Sequence, residues 1–471
     1  MKQTAREALE LTPSRTGRPR LDKSSRILAR FYEPLFLLQA LGQTRGVHTR
    51  RERDSNDVTE TRRKFLENLC FVCDFAQGGE SCTAIGLEER VDKYVFWLAS
   101  NGKHPNIADF LKSALKFLCL TASHLAELEP DATEREFTQI CADFAKIRIN
   151  EQWKRMLQQI LGQDDPIKLC YFAYDNRRST MIAELKSLAS SEERGLSLDG
   201  QRSSFYLVQH YIGRLAHHIR APRELIQDSR NIEHILQTCT VEIVDLPGVQ
   251  IPLRDTHTNL KGILNRMFRE DNANEKEEVE EGLIYLDKVS GTFNKFVGCY
   301  KRSGVDADVH AEIKVLEHFH RSKLRFAGND RFIACSKPAC LCCELYFKHH
   351  PAYFVTPSSH KKVWPKWSPP KVKYGPILDD WAIQQRKILS KITEDLREQV
   401  INHVLQRSRN SHWHPDSRTG ITDLQSMNHQ AFSMESDYSE LSELESDFNS
   451  LDGSESEMWS DSEDGGVSVS V

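Results

Sequence analysis

"HAEIKVLEHFH" (residues 310–320) and "PACLCC" (residues 338–343), with twenty-seven residues between the His-Ala-Glu triplet and Cys340, decide the fold. In the first stretch Ile313, Leu316 and Phe319 or His320 recur at helical spacing, which predicts a helix with His310 and Glu312 in its first turn. Between the two stretches lies "RFIAC" (residues 331–335), a strand-like run. It is bounded by the turn Gly328-Asn329-Asp330 and broken by Ser336-Lys337-Pro338. A second helix is expected from Leu341 to Lys348, and thiolates at its start are favoured by the helix dipole. Helix, strand and helix together predict an α/β, α-β-α domain with two helix starts facing each other across one sheet edge.

The residue types at those helix starts carry a chemistry. His310, Cys340 and Cys343 offer three zinc ligands, and Glu312 is a carboxylate that is not one of them. A fourth zinc position is then open to water, as a catalytic site needs, whereas a structural zinc usually closes its tetrahedron. His-x-Glu followed by Cys-x-x-Cys is the set used by zinc-dependent nucleobase deaminases. On that reading zinc brings the pKa of its bound water towards ~7. Glu312 takes the proton and returns it to the departing amine. A structural-zinc reading would use Cys335, Cys340, Cys342 or Cys343 with His349, His350 or His360, and it leaves His310 and Glu312 without a role. Cys335 and Cys342 are expected to be buried small apolar residues.

At these residues the chain resembles the cytidine deaminase-like superfamily. "HAEIKVLEHFHRSKLRF", "RFIACSKPACLCCELYFKHHP" and "SSHKKVWPKW" resemble more narrowly the fungal group of the OTT_1508-like deaminases, as does "FLENLCFVCDFAQGGESCTAIGLEE" (residues 65–89) upstream. The resemblance is sharp over about residues 280–375 and looser from 55 onward. It implies a deaminase fold, zinc at His310, Cys340 and Cys343, and Glu312 as proton shuttle. The superfamily usually writes Pro-Cys-x-x-Cys; here Ala339 stands between Pro338 and Cys340.

Further contacts to a nucleobase-containing substrate are expected from Ala311, Ser336 and Lys337. Trp364 and Trp367, set among Lys361, Lys362, Lys366, Lys371 and Lys373, either stack bases of a single strand or pack into the core. Residues 55–275 read as a mostly helical scaffold or lid before a zinc domain at 276–375. Helical runs there cover Phe110–Glu129, Thr133–Leu161, Asp175–Ser191, Ser203–His218 and Asn259–Phe268, with strand and turn at residues 241–253. Cys70, Cys73 and Cys82 read as buried thiols rather than a metal clip. A terminal helix runs from Asp379 to Gln406 within residues 376–410, its apolar stripe being Trp381, Ile388, Ile392, Leu396 and Val400.

Charge divides the chain. Residues 419–471 have no Lys or Arg and 13 Asp or Glu, so against a whole-chain net of −5 the remainder carries +8. The acidic, Ser-rich segment 411–471 is expected to be a disordered tail, open to a protein partner through Leu441, Leu444, Phe448, Leu451 and Trp459. Residues 1–54 read as a disordered basic arm, with Arg15-Thr16-Gly17-Arg18-Pro19-Arg20 close to a minor-groove hook. No stretch approaches the ~18 apolar residues of a membrane span. The 12 cysteines show no repeating frame, so cytosol or nucleus is expected. Beside the deaminase reading stand a catalytically silent zinc module that binds nucleic acid or protein, and a scaffold with structural zinc.

Overall fold

The computed structural model describes residues 23–42, 48–124, 129–156, 166–182, 184, 204–254, 258–268, 273–302, 304–305, 307–372 and 380–406. The helices are α1 (Lys23–Leu41), α2 (Asp57–Cys73), α3 (Pro105–His124), α4 (Pro130–Phe144), α5 (Lys146–Met156), α6 (Pro166–Asn176), α7 (Ser204–Ser229) and α8 (Glu233–Leu236). They continue with α9 (Leu260–Met267), α10 (Ala273–Ser290), α11 (Thr292–Cys299), α12 (Ala311–Ser322), α13 (Leu341–His349) and α14 (Asp380–Leu405). One sheet holds β1 (Thr83–Glu89), β2 (Tyr94–Ser100), β3 (Cys239–Ile243) and β4 (Ile333–Cys335) in the order β3-β2-β1-β4. β1 is antiparallel to β2 and to β4, and β3 is parallel to β2.

Alternation along each strand feeds two cores. Ala84 and Ile333 join the cluster that includes Ile313, Leu316 and Phe319 of α12 and the apolar face of α1. Ile85, Leu87, Phe96, Leu98 and Ala334 point the other way, against Phe65 and Leu69 of α2 and Leu111 and Leu115 of α3. The sheet is therefore a middle layer between two helical layers, which is the α/β arrangement expected.

The sheet joins the two regions that the sequence suggests are separate. Three of its four strands come from residues 55–275, and only β4 comes from the segment with the metal motif. Part of the expected basic arm also differs. Residues 23–41 form α1, because Phe31, Tyr32, Leu35, Phe36 and Leu38 are fully buried in the core. Its Arg30 pairs with Glu33, which Arg266 also holds at 2.7 Å. Further along, Arg51 grips Glu60 at 2.6 Å. The hook-like residues 15–20 and the acidic tail lie outside the described residues.

The helix expected over Thr133–Leu161 is two helices broken at Ala145. The run expected from Asp175 to Ser191 is interrupted, because α6 ends at Asn176. α14 matches its expected span, and Ile388, Ile392, Leu396 and Val400 are buried.

α12 presses on the sheet through a gap that only glycine leaves. A Cβ on Gly86 would stand 2.6 Å from Phe319 Cε2 and 2.7 Å from Val315 Cγ1. Both neighbours are buried ring and branch atoms with little room to yield. Gly86→Ala is expected to destabilise the protein by roughly 1–3 kcal/mol, read as a lower denaturant midpoint at unchanged slope. An unchanged midpoint would show that α12 can lift without cost.

Candidate metal centre

His310 caps α12 in an extended conformation, and its side chain makes no capping bond. The cap comes instead from the end of β2: Asn101 Oδ1 accepts from Ala311 N at 2.8 Å. Lys314 Nζ donates to the Ser100 carbonyl at 2.8 Å, so the first turn of α12 is fixed to the sheet at two points. Cys340 occupies the same place on α13, as its extended N-cap residue.

A strap built from residues 358–368 holds both helix starts. Asp308, two residues before His310, donates its N–H to Lys366 O and accepts from Ser368 N, each at 2.9 Å. Leu341 N donates to Lys362 O at 3.0 Å, and Ser359 Oγ donates to Ala339 O at 2.9 Å. The short bridges Asp308↔Trp367 and Ala339↔Ser359 belong to the same strap.

Those anchors bring three ligand atoms together. His310 Nδ1 lies 3.5 Å from Cys340 Sγ and 3.3 Å from Cys343 Sγ. Tetrahedral zinc bonds of 2.0–2.3 Å place such pairs about 3.6 Å apart, so the donor set fits this ion in size and softness. Among the described residues, only His310, Cys340 and Cys343 make a group of three metal-capable side chains, all within 4.8 Å. The structural-zinc alternative is not assembled: His349 pairs with Asp395 at 2.7 Å and His350 faces Glu317 at 3.4 Å.

Electrostatics prepares this set for a cation. Burial opposes ionisation of Cys340, but the hydrogen bond from Cys343 and the charge of His310 prevail and hold its thiol down at about 6. Burial acts to lower the His310 pKa, yet the Cys340 thiolate raises it to about 9. Cys343 is pushed well up by burial, then by Cys340 and Glu312. At pH 7 the site without metal thus holds an extra ring proton on His310, as imidazolium, and the thiol proton on Cys343. Zinc requires both gone. Zinc added at pH 7 in weak buffer is expected to release about two protons per chain, falling towards one above about pH 9, where His310 is already neutral. Release of no protons would contradict this ligand set.

The remaining candidate residues divide. Glu312 is buried beside the triad and interacts with Cys343. Ala311 is fully buried with its N–H committed to Asn101. Ser336 accepts from Thr83 N at 3.2 Å and donates to Cys82 Sγ at 3.4 Å. Lys337 is buried, donating to Gly78 O at 2.7 Å and standing 3.2 Å from Asp74 Oδ2. Burial acts to raise the Asp74 pKa, but Arg148 and Lys337 outweigh it and hold the carboxyl low. This ion pair anchors the loop before Cys340 to α2 and α5.

Trp367 is fully buried, so it presents no face to a stacked base. Its indole N–H donates to Cys343 Sγ at 3.1 Å, and Phe31 and Tyr346 close on its rings. Trp364 is partly buried against the same core. Asn101, Lys314 and Cys82 are site neighbours that the sequence reading missed. Their signal was the strand "YVFWLAS" (residues 94–100) ending in Asn-Gly, hidden within a region read as helical. Cys342 is fully buried as expected, whereas Cys335 is half-buried and meets Cys82.

No helix among the described residues is long and apolar enough to cross a membrane. No curated protein and no solved structure matches the chain. A family model described as OTT_1508-like deaminase matches residues 309–371, the segment that runs from the approach to His310 through the strap, so this segment is similar to a deaminase domain.

Proposed function

We propose that this protein is a zinc-dependent hydrolytic deaminase of the cytidine deaminase-like superfamily, acting on the exocyclic amine of a nucleobase. The observation that carries the reading is the meeting of His310 Nδ1 with the Cys340 and Cys343 sulfurs beside buried Glu312. Zinc in a three-ligand site supplies a Lewis acid and a water whose pKa falls to about 7. Around it, His310, Cys340 and Cys343 contribute two negative charges, which balance the ion and suit an uncharged ring.

Glu312 has the proton work. It takes a proton from the attacking water and delivers it to the exocyclic nitrogen, so that ammonia leaves and not an amide anion. Trp367 donates to Cys343 Sγ, stabilising the thiolate and fixing its direction. Asn101 and Lys314 hold the first turn of α12, and with it the spacing between His310 and Glu312.

The base is carried by a free nucleotide or by a single-stranded nucleic acid. The +8 charge of residues 1–418 supports the polymer, while the burial of Trp367 removes one feature that favoured it. Ammonia release by the zinc-loaded full chain, over nucleosides, nucleotides and single-stranded DNA and RNA, tests the reading. A polymer substrate is expected to lose affinity steeply between 50 and 200 mM salt, and a nucleoside is not. No release by folded, zinc-loaded protein would favour a silent module that binds nucleic acid, or a protein through its acidic tail.

A further inference from the structure

Two thiols outside the ligand set meet next to Glu312. Cys82 directly precedes β1, and Cys335 ends β4. In the antiparallel pairing Ala84 stands opposite Cys335. Side chains alternate faces along a strand, so Cys82, two residues from Ala84, turns to the same face, the one covered by α12. The sulfurs lie 3.6 Å apart and are unbridged. Cys335 Sγ is also 4.0 Å from Glu312 Oε2, and Ser336 Oγ donates to Cys82 Sγ at 3.4 Å.

This geometry is close to a bond. A disulfide needs sulfurs about 2.0 Å apart, so the pair has to close by about 1.6 Å, through side-chain rotation together with a small shift of Cys82, which lies just outside β1. Cys335 is partly exposed as a residue and Cys82 is buried, so the oxidant has to be as small as hydrogen peroxide. The two thiols also differ in character. The hydrogen bond from Cys335, opposed by burial and helped by the Lys337 charge, lowers Cys82 towards thiolate. The same bond, with burial, keeps Cys335 protonated. A thiolate facing a thiol is the pairing from which exchange chemistry starts.

We propose that Cys82 and Cys335 form a reversible redox modification site, closed to a disulfide by a peroxide-class oxidant. The Cys82 sulfur attacks one peroxide oxygen, the O–O bond breaks, and the departing oxygen leaves as water after taking a proton. Cys82 is then a sulfenic acid. The Cys335 sulfur attacks the Cys82 sulfur and expels its hydroxyl, which takes the Cys335 proton and leaves as a second water. The two thiols have together given up two electrons and two protons, and one peroxide has become two waters. The ligands Cys340 and Cys343 are separate from this pair. The new bond removes the Cys335 S–H that faces Glu312 Oε2 at 4.0 Å. For the deaminase reading, on which only this consequence rests, turnover falls roughly tenfold or more and returns on reduction.

The test treats zinc-loaded full chain with hydrogen peroxide, digests it without reduction and maps cross-linked peptides by mass. A linked Cys82–Cys335 peptide is expected, missing a pair of hydrogens. It should vanish in Cys82→Ser and in Cys335→Ser, revert with dithiothreitol, and form with the zinc content unchanged. Oxidation that leaves both thiols free, drives them to separate sulfinic acids, or links them only after zinc is lost would overturn the proposal. The mass readout does not depend on turnover. A cross-link in a protein whose reduced form releases no ammonia counts against the deaminase reading alone. An active protein without the cross-link counts against the redox site alone.

Discussion

Cys343→Ser is expected to abolish metal binding by the folded chain, and Cys342→Ser is expected to leave it intact. The two sulfurs are neighbours in sequence and equally buried, so burial cannot tell them apart. What separates them is direction. Cys343 Sγ lies 3.3 Å from His310 Nδ1 and accepts from the Trp367 indole, whereas Cys342 packs in the apolar core. Loss of an outer partner typically lowers metal affinity 10–100-fold, and loss of a direct ligand is expected to exceed that. Metal content after dialysis at matched zinc activity should therefore fall well below one ion per chain in Cys343→Ser. Cys342→Ser should retain its metal and melt somewhat lower, since a hydroxyl in that core costs roughly 1–3 kcal/mol. The reverse pattern would overturn the ligand choice.

Glu312→Gln separates the proton shuttle from the metal. Glutamine keeps the length and the buried position of the side chain but has no basic oxygen to take a proton. General acid–base catalysis contributes about 10²–10⁴ in rate, and ammonia release is expected to fall by at least that factor. Zinc content and melting temperature should stay near those of the parent. A glutamine variant as active as the parent would sink the shuttle role. A variant that loses its zinc would reassign Glu312 as a ligand.

What could be read from the sequence followed the chemistry. Metal ligands restrict residue types, so His310, Cys340 and Cys343 stand out even though thirty residues of chain separate His310 from Cys340. α12, β4 and α13 were legible because helical spacing on either side of a short apolar run leaves few other readings. The hairpin of β1 and β2 was not. "TAIGLEE" and "YVFWLAS" are covered on both faces, so the alternation that marks a half-exposed strand is missing. α1 was hidden by the arginines around it, although Phe31 to Leu38 is its buried face. The role of Trp367 could not be read at all, because a tryptophan among lysines looks the same in a groove and in a core. Its partner sulfur is set by tertiary register, as is the meeting of Cys82 with Cys335.

The sheet has a further meaning for how the molecule comes into being. Ala84 pairs with Cys335, about 250 residues later in the chain. At ribosomal speeds of ~5–20 residues per second, β1 waits roughly 10–50 s for β4 to be made. During that interval the β1–β2 hairpin displays an open backbone edge, the kind of surface on which nascent chains aggregate. Assembly of the ligand set waits as well, because Cys340 and Cys343 emerge after β4. A nascent chain interrupted before β4 therefore has both an open edge and an incomplete His310, Cys340 and Cys343 group, and the assembled group marks a polypeptide whose synthesis has passed the point of danger.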